Sequence, residues 1–302
     1  MKRSLAAMAA VMALAMVAGC GSSDPLSSSP SSAAPTDAVV VGSANFPESQ
    51  LLAEIYSQAL VTKGVKVDKK LNIGARKVYL AALKDGSIDL IPEYTGNLLF
   101  ELKPDATQTT QDDVYAALKA ALPSDQSVLE KAPAEDKDGF VVTQATAQKY
   151  NAKSIADIAP KCGEITFGGF PEFAQRTYGV NGLAKNYNCT LRGFTPQTTG
   201  KLIVDGLNNG SIQAGDVFTT DPAIKANNFV VLEDPKNNFP AANIVPLIRT
   251  SKASDTVKKV LDAISAKLTT AGLLDLNVKL DGPDKPNPDV VAKEWLQANG
   301  LL

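Results

Sequence analysis

One pattern occurs twice in this chain of 302 residues, and it constrains the fold more than any other feature. The copies cover 83–95 and 207–219. They align without a gap at an offset of 124, from Gly86 to Gly210 (210 − 86 = 124). Each copy predicts a helix end, a glycine turn, a strand and an aromatic-threonine pair where that strand ends. The alternative is a chance recurrence of Gly-Ser-Ile turns. The repeat predicts two similar lobes, each with an aromatic residue at a strand end facing a common cleft.

The spacing of apolar residues elsewhere is typical of an α/β protein. From Pro47, for example, apolar side chains recur along one stripe of a helix that is predicted to end near Lys63. Strands are predicted at 38–43, 88–91, 140–143 and 164–167, and helices at 47–63, 111–121, 201–207 and from 255 onward, with interruptions at 282–283 and 286. Strands that alternate with helices favour mostly parallel sheets, with ligands at the carboxyl ends of the strands.

The N-terminus has the pattern of a secretory signal. Lys2 and Arg3 precede an apolar run, 5–17, that is too short to cross a bilayer of about 30 Å as a helix. The run closes on Val17-Ala18-Gly19-Cys20, which resembles the bacterial lipobox, whose cysteine receives a lipid. We therefore predict a signal peptide over 1–19, a lipidated Cys20 and a flexible Ser/Pro-rich tether over 20–37. Ordinary cleavage beside a chance cysteine is the alternative.

Charge and composition exclude several functions. The formal net charge is −2 and no basic cluster is present, so nucleic acid is not an expected partner. The chain contains no histidine, which excludes Ser-His-Asp and Cys-His nucleophile pairs and most zinc or iron sites. We accordingly predict no catalytic residues, no metal and no cofactor. A histidine-free hydrolase built on a Ser-Lys pair or paired carboxylates stays open as an alternative, although no motif supports one.

Two cysteines remain once Cys20 is assigned to the lipid. Cys162 and Cys189 form an even pair in an exported chain, where the compartment is oxidising. A disulfide between them is predicted, and two buried thiols are the alternative.

Several ordered stretches resemble the glycine betaine/choline-type substrate-binding lipoproteins of ABC importers. The resemblance extends from about Val39 to the C-terminus. The stretches that carry it are Val41-Gly42-Ser43-Ala44-Asn45-Phe46, Asp85-Gly86-Ser87-Ile88-Asp89, Glu93-Tyr94-Thr95-Gly96, Phe167-Gly168, Pro171-Glu172-Phe173-Ala174, Thr219-Thr220-Asp221, Ala292-Lys293-Glu294-Trp295-Leu296 and Gly300-Leu301-Leu302.

The resemblance implies a two-lobed periplasmic-binding-protein type II fold, α/β in class, with a hinged ligand cleft. Lobe I would comprise 38–137 and 242–302, and lobe II 138–241. The implied protein is a monomer, anchored by lipid at the outer face of the cell membrane or on the periplasmic side. It captures a small-molecule ligand and delivers it to the ABC permease and ATPase subunits.

The resemblance also implies an aromatic box for a quaternary ammonium, because a methylated ammonium cannot donate hydrogen bonds and is attracted by ring faces. Tyr94, Phe218 and Phe140 match box positions, and Asp138 matches an acidic residue that faces the ammonium. Each has an alternative: the aromatic residues as core, and Asp138 as part of a solvated turn.

Two further positions complete the implied site. Arg176 matches the arginine that clamps the ligand carboxylate, with a structural pair to Glu172 as the alternative. Asn97 stands where the family often has a threonine.

Two positions depart from the family pattern. Ala44 falls where a lysine for the carboxylate can occur, and Ala242 falls near a position that can carry a further box tyrosine. Both changes favour a bulkier or less charged ligand than glycine betaine. The alternatives for function are the same fold with a non-quaternary, aromatic or neutral ligand, a lipoprotein enzyme, and a receptor domain that presents its ligand to a signalling partner.

Overall fold

The structure, a computed structural model, describes residues 37–302, and Asp37–Leu302 forms one compact unit. The predicted signal peptide, Cys20 and all but the last residue of the predicted tether lie outside the described residues. The strands are β1 Val39–Gly42, β2 Val67–Lys70, β3 Leu90–Tyr94, β4 Gln126–Val128, β5 Phe140–Val142, β6 Thr166–Gly169, β7 Gly193–Pro196, β8 Ala214–Asp216, β9 Val230–Val231 and β10 Ile244–Arg249. The helices are α1 Pro47–Thr62, α2 Arg76–Asp85, α3 Thr95–Leu102, α4 Gln111–Ala121, α5 Gln144–Tyr150, α6 Ile155–Ile158, α7 Val180–Tyr187, α8 Gly200–Asn209, α9 Ala223–Ala226, α10 Asp255–Lys267, α11 Thr270–Asp281 and α12 Pro288–Ala298.

The strands form two five-stranded sheets with the same plan. Their orders are β2-β1-β3-β10-β4 and β7-β6-β8-β5-β9. In each sheet two neighbouring pairings are parallel and two are antiparallel, because β10 runs against β3 and β4, and β5 runs against β8 and β9. The expectation of mostly parallel sheets was therefore wrong. It assumed that a crossover helix precedes every strand, whereas β5 and β10 follow segments that pass directly from one sheet to the other.

The sequence repeat corresponds to equivalent turns in the two sheets. Gly86 ends α2 with φ 81°, and Gly210 ends α8 with φ 78°. This left-handed conformation favours glycine, which has no Cβ to clash. In each copy the preceding side chain, Asp85 or Asn209, accepts a hydrogen bond from the backbone N–H of the following serine, at 2.8 and 2.9 Å. The chain then enters β3 or β8, the central strand of its sheet.

Helix α1 forms the centre of the first core. Pro47 occupies its first turn, where the missing N–H costs no hydrogen bond, and Glu48 places a carboxylate near the positive end of the helix dipole. Leu51, Leu52 and Ile55 have no exposed surface. They pack with α10, α11 and α12, which cover the same face of the sheet, so the C-terminal helices complete the fold of the N-terminal sheet.

Two segments connect the sheets, 129–139 and 232–243. They lie side by side, since the backbone N–H of Asp136 donates to the carbonyl of Ala242 at 3.0 Å and Glu135 bridges to Asn243. The lobe boundaries expected at 137/138 and 241/242 fall within these segments. Paired connecting segments of this kind are the usual position of a hinge.

The second core contains a disulfide. Cys162 and Cys189 are joined, with their Cα atoms 5.1 Å apart, and both are buried. The bond links the 3₁₀ turn Ala159–Glu164 to the residue that follows α7 by two positions. Within 37–302, no helix combines the length and apolarity needed to cross a membrane.

Candidate functional site

A cavity of about 1090 Å³ lies where both sheets contribute residues. Its volume is at the upper end of the range for small-molecule sites, roughly 300–1,000 Å³. Lobe I contributes part of α3 and Ala242, and lobe II contributes the first connecting segment and the residues after the 3₁₀ turn Pro171–Gln175. The lining side chains used below are Asn97, Phe100, Asp138, Arg176, Tyr178 and Ala242.

An ion pair lies on the lobe II wall. Arg176 Nη1 donates to Asp138 Oδ1 at 2.9 Å, and the arginine side chain is 35% exposed whereas that of Asp138 is 9% exposed. Among residues 37–302, no side chain accepts a hydrogen bond from the other guanidinium nitrogens of Arg176, which leaves donors for a ligand. With Glu172, Arg176 makes a backbone hydrogen bond, at 3.1 Å, rather than a side-chain pair.

Two aromatic rings stand beside this ion pair. The Arg176 guanidinium lies 5.5 Å from the centroid of the Tyr178 ring, within the range of a cation–π interaction. Phe100 on α3 faces Tyr178 from the opposite lobe, with the ring centroids 6.3 Å apart. The cavity therefore has an aromatic face from each lobe next to a charged group.

A second carboxyl group, Asp216, lies behind Asp138. It ends β8, where it pairs in register with Phe140, and the residue is only 4% exposed. Burial raises the pKa of Asp216 well above its usual value, and the nearby charge of Asp138 raises it further, while Arg176 opposes both effects.

Tyr94 takes part in a buried network around Glu48. The Tyr94 hydroxyl donates to Glu48 Oε1 at 2.5 Å, and Thr220 Oγ1 donates to Oε2 at 2.8 Å; Asn277 Nδ2 also donates to Oε2. Burial raises the pKa of Glu48 although these three hydrogen bonds lower it. Tyr94 is 5% exposed and is not among the residues that line the cavity. The network connects β3 to the chain that follows β8, so it links the two sheets.

The other two aromatic residues of the expected box also lie away from the cavity lining. Phe140 has no exposed surface, and its ring meets that of Phe167 edge-on at 5.0 Å in the second core. Phe218 is partly exposed just beyond β8. The structure thus brings Asn97, Asp138 and Arg176 together at the cavity, and places Tyr94, Phe140 and Phe218 behind or beside it.

A buried acid–base pair supports the cavity from lobe I. Glu93 in β3 has no exposed surface and accepts hydrogen bonds from Arg76 Nε at 2.9 Å and from Arg76 Nη2 at 3.2 Å. The Tyr79 hydroxyl and the backbone N–H of Tyr94 also donate to Glu93, at 2.6 and 2.9 Å. Arg76 itself lines the cavity, so this pair holds a cation at its rim.

Residues 37–298 match the model of the substrate-binding domain of ABC-type glycine betaine transport systems, the OpuAC family. The chain belongs to this family. As an OpuAC protein it is a solute-binding protein of an ABC transporter and not an enzyme. Within the part of the chain that the structure describes, no cluster of acidic and cysteine side chains could hold a metal ion.

Relatives with printed functions agree with this assignment. The chain is 26% identical over 273 residues to the carnitine transport binding protein OpuCC of Listeria monocytogenes, with 88% of each chain covered. It is 28% identical over 269 residues to the ergothioneine transport permease/ergothioneine binding protein EgtU of Helicobacter pylori, covering 87% of this chain but 48% of that protein. The chain therefore spans about half of EgtU.

A solved structure shows the same fold. The crystal structure of a glycine betaine/carnitine/choline ABC transporter protein superposes with a TM-score of 0.80 at 22% identity, covering 87% of this chain and 99% of that one. This confirms the type II periplasmic-binding-protein fold expected from the sequence.

Three residues of this OpuAC site were missed by the sequence reasoning: Phe100, Tyr178 and Asp216. Phe100 lies three positions after Asn97, so the two share one face of α3. Tyr178 lies two positions after Arg176. These spacings could have indicated both residues. Nothing in the sequence distinguishes Asp216 from any other polar residue at a strand end, because its burial arises from packing between β8 and β5.

Proposed function

We propose that this OpuAC protein captures a solute that carries a quaternary ammonium and a carboxylate, and delivers it to the permease and ATPase subunits of an ABC importer. The observation that supports this most is the Arg176–Asp138 pair, which opens on a cavity with aromatic rings on both sides. Both carnitine and ergothioneine, named for the relatives, are trimethylammonium carboxylates.

The chemistry of the cavity suits such a zwitterion. Its methylated ammonium cannot donate hydrogen bonds, so it requires ring faces and a negative field, which Tyr178, Phe100 and Asp138 provide. Its carboxylate requires donors in a fork, which the remaining nitrogens of Arg176 provide. Asn97 adds a side-chain amide on the opposite wall.

The remaining aromatic residues would act in the ligand-closed form. Tyr94 and Phe218 hold equivalent places at the ends of β3 and β8, so closing the hinge would bring them toward one ligand from opposite lobes. Phe140 would reach a ligand only after a rearrangement of the second core, where it is fully buried. Differential affinity for the closed form is what drives the closure.

We further propose a ligand larger than glycine betaine. Ala242 lines the cavity, and Ala44 is buried at the end of β1, so neither supplies the ring or the cation expected there. Both positions leave space and remove attraction for a compact zwitterion.

Mass spectrometry of the intact purified protein, followed by calorimetry, tests this proposal. We expect a co-purified trimethylammonium compound, and tighter binding of carnitine than of glycine betaine. A neutral or aromatic compound without an ammonium group would contradict the ligand class. Turnover of the bound compound would contradict a pure binding role, and a gene neighbourhood without a permease and ATPase would favour a signalling receptor.

The guanidinium of Arg176 should be required for binding the carboxylate. Arg176→Ala should weaken carnitine binding by about 1.5–3 kcal/mol, the usual contribution of hydrogen bonds to a charged group. Arg192→Ala is the matched control, because Arg192 bonds to Thr166 in the same lobe, outside the cavity. Calorimetry on both variants checks this. Equal affinities in the two variants would place the carboxylate elsewhere.

Membrane attachment should depend on Cys20. We propose that lipid on this cysteine is the anchor and that the exported protein acts as a monomer. Cys20→Ala should therefore move the protein from the membrane fraction to the soluble fraction of the cells that express it. Fractionation followed by immunoblotting measures the distribution, with Cys162→Ala as a cysteine control that should remain in the membrane. Retention of the Cys20 variant would rule out the lipid as the anchor.

A further inference from the structure

Asp216 is a buried carboxyl group that the fold itself does not require. By the offset of 124, the equivalent residue in the first copy of the repeat is Pro92 (216 − 124 = 92). Both positions lie in the central strand of a five-stranded sheet. A carboxyl group is costly to bury, and the first sheet forms without one at this position. The presence of Asp216 in lobe II therefore calls for a reason in the site rather than in the strand.

The partners of Asp216 are few and known. Its Oδ1 has no hydrogen-bond partner in the described part of the chain, and the backbone N–H of Gly139 donates to its carboxyl group. Asp138, two residues before Phe140, approaches it across the antiparallel pair β5–β8. Arg176 and Tyr178 are the other ionisable side chains that face this pair.

The charges around the pair do not balance when both carboxyl groups are ionised. One guanidinium, that of Arg176, faces two buried carboxyl groups, and its bonded contact is to Asp138. Like charges held together out of water cannot both ionise readily, so one proton is retained. The raised pKa of Asp216 agrees with the proton residing on that residue.

We infer that Asp216 holds a proton against Asp138 and releases it when the cationic head of a ligand occupies the cavity beside the pair. The inference rests on the proposed function, since it assigns a proton to the same ligand site. In this step the O–H bond of Asp216 breaks, the proton passes to water, and the positive charge of the ligand replaces it. The site would then adjust its charge by one unit, neutral toward the cavity when empty and negative when it holds a cation.

Choline is the sharpest probe, because it carries a quaternary ammonium without a carboxylate. Calorimetry near neutral pH in two buffers of different ionisation enthalpy, phosphate and Tris, counts the protons released on binding. We expect about one proton per choline, and an affinity that rises by up to about tenfold per pH unit while Asp216 retains its proton. Equal enthalpies in the two buffers would overturn the inference.

Variants separate Asp216 from other acids. Asp216→Asn cannot ionise, so its choline binding should release no proton and should lose the pH dependence. Asp205→Asn is the control, because Asp205 lies in the same lobe and pairs with Lys201 at the surface. It should release the same number of protons as the wild type. Proton release that persists in Asp216→Asn would assign the proton to another group.

A measurement without ligand keeps the inference separate from the proposed function. Carbon-detected NMR of protein labelled at aspartate carboxyl carbons reports the protonation of Asp216, which is assigned by its loss in Asp216→Asn. We expect the protonated form near neutral pH, and an ionised Asp216 would overturn the inference. Failure of choline, carnitine and glycine betaine to bind would instead contradict the ligand class, whatever the state of the carboxyl pair.

Discussion

Arg76→Met should lower the free energy of unfolding by about 3–5 kcal/mol, the usual cost of removing one partner from a buried ion pair. Glu93 has no exposed surface, and Arg76 is the cation that faces its carboxylate at 2.9 Å. Without the guanidinium the carboxylate stays buried with only the neutral donors of Tyr79 and the Tyr94 backbone. Urea unfolding followed by the fluorescence of Trp295, the single tryptophan, measures the change.

Two further variants show whether the uncompensated charge is the cause. In the double variant Arg76→Met/Glu93→Gln the buried group is neutral and still accepts hydrogen bonds, so most of the lost stability should return. Lys201→Met breaks an exposed pair with Asp205 and should cost less than about 1 kcal/mol. A loss for Arg76→Met no greater than that for Lys201→Met would contradict the role given to this pair.

Removing the disulfide should cost a similar amount. The bond joins residues separated by 27 positions, and the chain-entropy model gives about 3.5 kcal/mol for a closed loop of that size. Cys162→Ala/Cys189→Ala should therefore lower the midpoint of urea unfolding, because the unfolded chain regains the freedom that the bond removes. Reduction of the wild type with dithiothreitol is the internal control and should lower stability to about the same level. An unchanged midpoint in both experiments would mean that lobe II is stable without the bond.

Local sequence signals predicted the regular elements well where they were strong. Helix α4 begins and ends where its pattern indicates, because Thr110 caps its first turn with a bond to the backbone N–H of Asp113. Helix α1 begins at Pro47 as predicted. The strand predicted at 88–91 begins later, at Leu90, because the backbone N–H of Ile88 is used to close the end of α2 on Ala82.

The site was only partly accessible to the same reasoning. Asp138, Arg176 and Asn97 were named from the resemblance and lie at one cavity. Tyr94 was named for its place at a strand end, which the structure bears, but its hydroxyl points to Glu48, a residue of α1 that lies 46 positions earlier in the chain. A hydrogen bond between residues so far apart leaves no local signal in the sequence.

The sequence by itself determined the two-lobed α/β plan, because apolar periodicity and glycine turns act within a few residues, and a repeat records them twice. It also determined membership of the OpuAC family and the absence of histidine chemistry. Only the tertiary structure decided the reversed directions of β5 and β10, the paired connecting segments and the meeting of Asp138, Asp216 and Arg176. Strand direction and burial depend on contacts between distant parts of the chain, and those contacts exist only once both sheets have formed.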